Sequence, residues 1–182
     1  ATGAATGLTW EDAFIDIQPA LDTALDGDEV WVACATYGPT ERAETSDRRT
    51  ASFVPRSGVS LFGGFAGGET SLDERDPDPF TNGCVLGGVD DTTGYFTLMR
   101  LIDVPEPVTL DGFFLQGATA LDEFTNRGAG IGVVNSSLTG RNLRLEGLET
   151  RSGSVGLGGG IFADNSEVVL EDVSISNVFS GR

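Results

Sequence analysis

The chain has 182 residues, enough for one domain with a continuous core. Its formal net charge is −17, and its basic residues are 11 arginines with neither lysine nor histidine. That charge argues against nucleic acid and anionic lipid as partners. The missing residue types exclude a Ser-His-Asp triad, imidazole metal ligands, Schiff bases and a P-loop.

Glycine is enriched, with 26 residues, about twice an average usage of roughly 7%. No stretch approaches the ~20 apolar residues that span a bilayer, so direct membrane insertion is not expected. The first seven residues are small and would suit the start of a secreted chain after signal cleavage.

From residue 9 to 25 the apolar positions Trp10, Ala13, Phe14, Ile17, Leu21 and Ala24 trace a helical stripe. Pro19 divides it, so Asp16 is expected to cap a second, shorter helix with Pro19 in its first turn. Residues 1–27 therefore read as an N-terminal segment and helical cap. Residues 29–37 form the first strand-like run, with Val30, Val32 and Cys34 alternating against Trp31 and Ala33. Polar residues 38–51 read as a loop, Ser52-Phe53-Val54 as a short strand, and residues 58–65 as the second long run. Residues 67–82 form a second polar loop, and Cys84-Val85-Leu86 opens a third run.

From about residue 98 the chain repeats itself. Val108-Thr109-Leu110 aligns with Leu138-Thr139-Gly140 and Val168-Val169-Leu170 at steps of 30 residues. Leu101, Ile131 and Ile161 form one expected column, and Phe113, Leu143 and Val173 another. Leu115, Leu145 and Ile175 form a third, while Asp111-Gly112 and Arg141-Asn142 mark a corner. Period-2 strands inside a fixed long repeat predict short strands stacked in parallel, one coil upon the next. Residues 28–182 therefore read as a parallel β-helix of about 30 residues per coil. The next glycine landmark would fall beyond Arg182, so we expect the solenoid to continue in a longer protein or to be covered by another subunit.

Gly158-Gly159-Gly160-Ile161 followed by Val173-Ser174-Ile175-Ser176-Asn177 resembles the repeat of chlamydial-type polymorphic outer membrane proteins. Trp10-Glu11-Asp12-Ala13, Gly27-Asp28-Glu29-Val30-Trp31-Val32-Ala33, Gly63-Gly64-Phe65-Ala66-Gly67-Gly68-Glu69 and Arg75-Asp76-Pro77 are similar to the opening of bacterial secreted right-handed parallel β-helix proteins. The resemblance implies a helical cap over triangular coils. It leaves function open among adhesins, carbohydrate-active enzymes and proteins without known activity.

No catalytic residue is assigned from the sequence. Two ten-residue polar excursions, 118–127 and 148–157, occupy equivalent places in successive repeats. Stacked on one face, they would gather Asp122, Glu123, Arg127, Glu149 and Arg151 into a binding surface for glycans or cell-surface ligands. Asp73, Asp76 and Asp78 are weak candidates for a Ca²⁺ site, because their spacing departs from an EF-hand loop. No other cofactor is expected.

Asn135 and Asn165, one coil apart, are expected to form a hydrogen-bonded ladder. Cys34 and Cys84 lie in the first and third runs. If those runs were coils one and three, their Cα atoms would be roughly 9.6 Å apart, beyond the ~7 Å limit for a bridge. A disulfide needs adjacent coils or an irregular early register, and two buried thiols are the alternative. The functional expectation is a non-enzymatic extracellular or cell-surface solenoid for adhesion or structural assembly. A polysaccharide lyase or glycoside hydrolase on the same scaffold is the alternative.

Overall fold

The computed structural model describes residues 4–87, 96–120, 128–150 and 158–180. The chain forms a parallel β-solenoid of about four turns with one short helix near its N-terminus. The helix, α1 (Ile17–Thr23), precedes β1 (Glu29–Ala33) and β2 (Thr36–Tyr37) of the first coil. A hairpin of β3 (Glu41–Arg42) and β4 (Ala51–Ser52) follows. Next come β5 (Ser60–Phe65), β6 (Val85–Gly87) and β7 (Met99–Ile102). The regular coils are built from β8 (Val108–Ala120), β9 (Ile131–Val134), β10 (Ser137–Thr150), β11 (Ile161–Asp164) and β12 (Glu167–Ser180).

One sheet runs β1-β5-β8-β10-β12, with β2 and β6 joining along the same layers. A second sheet runs β7-β9-β11. Leu138 pairs with Val108 and Val168, Leu143 with Phe113 and Val173, and Leu145 with Leu115 and Ile175. These columns hold the core, where Leu110, Phe113, Leu115, Leu143 and Leu145 are fully buried. Each long strand bends at corners of left-handed backbone. Gly112, Asn142 and Asp172 have φ of 85°, 46° and 54°, and Gly117, Gly147 and Asn177 have φ of 75°, 63° and 50°. Gly, Asn and Asp are the residue types that enter this region at least cost, so the corners recur where they stand.

Two expected registers are corrected. Ile131 pairs with Met99, not with Leu101, which lies beside Val133. Between the paired positions Ile102/Val134 and Val108/Leu138, the lower coil has five residues, Asp103 to Pro107, where the upper has three, Asn135 to Ser137, so it is two residues longer. A slip of two preserves the inward parity, so Leu101 stays fully buried and the alternation cannot reveal the shift.

The second and third runs are likewise not separate coils. The first arm of β8 pairs with β5 through Thr109, Leu110 and Asp111, and its second arm pairs with β6 through Phe114, Leu115 and Gln116. Both β5 and β6 therefore belong to the second coil, and residues 66–84 are an insertion at its corner. This brings the two cysteines into adjacent coils. Cys34 and Cys84 form a disulfide with Cα atoms 4.2 Å apart.

The insertion folds back onto the stack. Gly64, within β5, has φ 100°, and a Cβ there would lie 2.0 Å from the Asp76 carbonyl oxygen of the insertion. The Arg75 guanidinium reaches the Gly63 carbonyl at 2.8 Å and the Asp111 carboxylate at 2.8 Å. The Asn82 amide donates to the Gly112 carbonyl at 3.0 Å.

At the N-terminal end, only residues 17–23 of the expected stripe are helical, and residues 9–12 make bends and a turn. Asp16 holds the N-cap position without a side-chain cap bond, and Pro19 lies in the first turn. Ile17, Leu21 and Ala24 pack on the core. The buried Gln18 side chain accepts from the Val54 N–H at 3.0 Å and donates to the Val54 carbonyl at 3.3 Å. Its amide thus satisfies backbone groups that a lone strand would leave open. At the other end, β12 leaves Leu170, Ile175 and Phe179 with 42%, 48% and 62% exposure.

Candidate functional site

The polar loop face falls largely outside the described residues, which omit Asp122, Glu123, Arg127 and Arg151. Glu149 lies on β10, in register with Thr119 and Phe179. Asp73 sits in the one-turn 3-10 helix Leu72–Glu74. Asp76 accepts from the Asp78 N–H at 3.1 Å and the Thr81 hydroxyl at 3.0 Å, and Asp78 accepts from the Phe80 N–H at 2.9 Å. These carboxylates hold their own turns. Among the described residues, no group of three or more His, Cys, Asp or Glu is placed to hold a metal ion.

The asparagine pair stands in the turns between β9 and β10 and between β11 and β12. Asn165 donates to the Asn135 side-chain oxygen at 2.9 Å, and Asn135 donates to the Asp103 carboxylate at 2.8 Å. All three residues have φ near 50°, so they turn the chain and bond along the stack at once.

A groove of about 680 Å³ lies at the N-terminal end, between the N-terminal segment, α1 and β1. Its lining includes Trp10, Phe14, Asp16, Glu29, Trp31 and Tyr37. Trp31 stacks on Phe65 at 4.7 Å and 11°, because both occupy the outer face of paired strands. Trp10 folds onto the same ring at 5.5 Å.

Each aromatic polar group has a partner, as half-buried rings of this type require. The Trp10 indole donates to the Glu69 carbonyl at 2.9 Å, and the Trp31 indole to the Glu29 carboxylate at 2.8 Å. The Tyr37 hydroxyl donates to the Ala33 carbonyl at 2.7 Å. Burial raises the Tyr37 pKa, and the negative charge of Asp16 adds to the rise. The Glu69 carboxylate accepts from the N–H groups of Ala66, Gly67 and Gly68 at 2.6, 2.9 and 2.8 Å. These backbone bonds, led by that of Ala66, hold its pKa down at about 2.

No protein-family model, curated protein or solved structure matches this chain.

The groove is a feature that sequence reading missed. Trp10 and Phe14 read as one stripe of a helix, yet both lie outside α1 and line the concavity beside β1. The available signal was Trp31, a large aromatic on the outward parity of its strand. The groove carries carboxylates and aromatic surface, and its lining contains no basic side chain among the described residues. Such a lining suits binding of a neutral or cationic group and repels anions.

Proposed function

We propose that this chain is a non-enzymatic extracellular or cell-surface solenoid serving adhesion or structural assembly. The Cys34–Cys84 disulfide carries this reading. Structural disulfides persist in oxidising compartments, where small surface modules use them as staples. The resemblance to secreted bacterial β-helix proteins and to polymorphic outer membrane proteins supports the same placement. No helix among the described residues is long and apolar enough to cross a membrane.

Assembly is supported by β12, whose open edge carries exposed Val169, Leu170, Ile175 and Phe179. A further coil, from this protein or from another subunit, would pair with that edge and cover those side chains. Adhesion would use the loop face with Asp122, Glu123, Arg127, Glu149 and Arg151. In the 66–84 insertion Asp76 and Asp78 are engaged in turns and Arg75 pairs with Asp111 of β8, which favours a binding role over acid–base chemistry.

A glycan array combined with a polysaccharide lyase and glycosidase panel tests the proposal. Saturable ligand binding without product release is expected. Release of unsaturated or shortened oligosaccharide would establish the carbohydrate-active enzyme instead.

A further inference from the structure

We propose that the groove at the first coil is a docking site for an extended peptide carrying Lys or Arg, which adds as a strand to the open edge of β1. This inference does not rest on the adhesion reading, because it concerns the opposite end of the solenoid from β12.

The first observation is an unpaired strand edge. β1 ends its sheet and pairs only with β5 among the described residues. The Asp28 carbonyl accepts from the Ser60 N–H at 3.0 Å, and the Cys34 N–H donates to the Phe65 carbonyl at 2.8 Å. Successive residues of a strand direct their backbone groups to alternate sides, so Glu29, Trp31 and Ala33 direct theirs away from β5. The Tyr37 hydroxyl donates to the Ala33 carbonyl, which agrees with that parity and leaves the groups of Glu29 and Trp31 as the open part of the edge. The same residues line the groove. A strand edge inside a groove is the geometry of β-addition, in which main-chain bonds supply affinity and side-chain pockets supply selectivity.

The second observation is charge. Asp16, Asp28 and Glu29 line the groove with no basic side chain among the described lining residues, in a chain of net charge −17. The half-buried rings of Trp10, Trp31 and Phe14 lie beside these carboxylates. Aromatic faces and carboxylates together favour ammonium and guanidinium groups, and the carboxylates repel acidic peptides. A cationic side chain on alternate peptide positions would meet this wall while its backbone paired with β1.

The chain reports on this site directly, because Trp10 and Trp31 are its two tryptophans. The test titrates the whole chain with an end-blocked, alternating Lys-Val hexapeptide and follows tryptophan emission. Six extended residues span ~20 Å, enough to cover the strand. A saturable change is expected, weakened several-fold by raising salt from 50 to 300 mM. An alternating Glu-Val peptide should give no saturable change. Asp16→Lys should weaken binding by roughly tenfold or more with unchanged circular dichroism, since the Asp16 side chain is exposed and makes no cap bond. N-methylation of alternate peptide nitrogens should abolish binding if the backbone pairs.

Several results would overturn the proposal. They are no saturable response to the basic peptide, an equal response to the acidic one, or equal binding of the N-methylated form. Saturation by a neutral β-glucan oligosaccharide without a response to the basic peptide would assign the groove to sugars instead.

Discussion

Arg75 and Asp111, 36 residues apart in sequence, form a 2.8 Å ion pair in which each side chain is only 8% exposed. Asp111 also accepts from the Asn142 amide at 2.8 Å, so one carboxylate joins the insertion to two successive coils. The Arg75 guanidinium lies over the Phe62 ring at 5.3 Å. Removing one member leaves a buried charge without its partner. Arg75→Ala should therefore cost about 3–5 kcal/mol in urea unfolding. The double variant Arg75→Met with Asp111→Leu should recover most of that loss. An Arg75→Ala protein as stable as the parent would show that the pair contributes nothing to the stack.

The Cys34–Cys84 bridge closes a 50-residue separation. Replacing both cysteines by serine should lower stability by about 2–4 kcal/mol. Unfolding with and without reductant measures the effect, and non-reducing peptide mapping checks the pairing. Reductant should destabilise the parent chain and leave the double-serine variant unchanged.

Leu145 and Ile175 share one column, yet Leu145 is fully buried and Ile175 is 48% exposed. Leu145→Ala should cost about 2–5 kcal/mol, whereas Ile175→Ala should cost about 1 kcal/mol or less. Chemical denaturation at several protein concentrations reads both. If a further coil from another molecule covers β12 in solution, the Ile175→Ala cost will rise with concentration toward that of Leu145→Ala.

Glu69 has a folded pKa of about 2 against an ordinary value of 4.5. A depressed carboxylate adds stability above its unfolded pKa and loses it as pH falls toward the folded value. Acidification from pH 4.5 to 2 should therefore loosen the loop of residues 66–69. Because the Trp10 indole bonds the Glu69 carbonyl, tryptophan emission should follow the transition. Glu69→Gln should flatten this limb of the pH profile.

The parallel stack was legible because Val108, Leu138 and Val168 repeat at a fixed step and alternate in twos. Corners were legible too, since left-handed backbone selects glycine, asparagine and aspartate at 112, 142 and 172. Registers across irregular joints were not. The Asp103–Pro107 turn adds two residues without changing parity, and the insertion before Cys84 splits one coil into two apparent runs. The groove was hidden for a different reason. Trp10, Phe14 and Trp31 come together only through the folded path of a non-repeating segment, which no periodicity records.

The placement of residues 66–84 has one more consequence. The two arms on either side of this corner are registered independently, β5 and β6 each against its own part of β8, and Cys84 is tied directly to Cys34 in the coil beneath. The length of chain between Phe65 and Cys84 is thus uncoupled from the winding of the solenoid. Foreign sequence grafted between Glu69 and Glu74, with Arg75, Asn82 and the disulfide kept, would be displayed from a fixed base while the coils above and below keep their pitch.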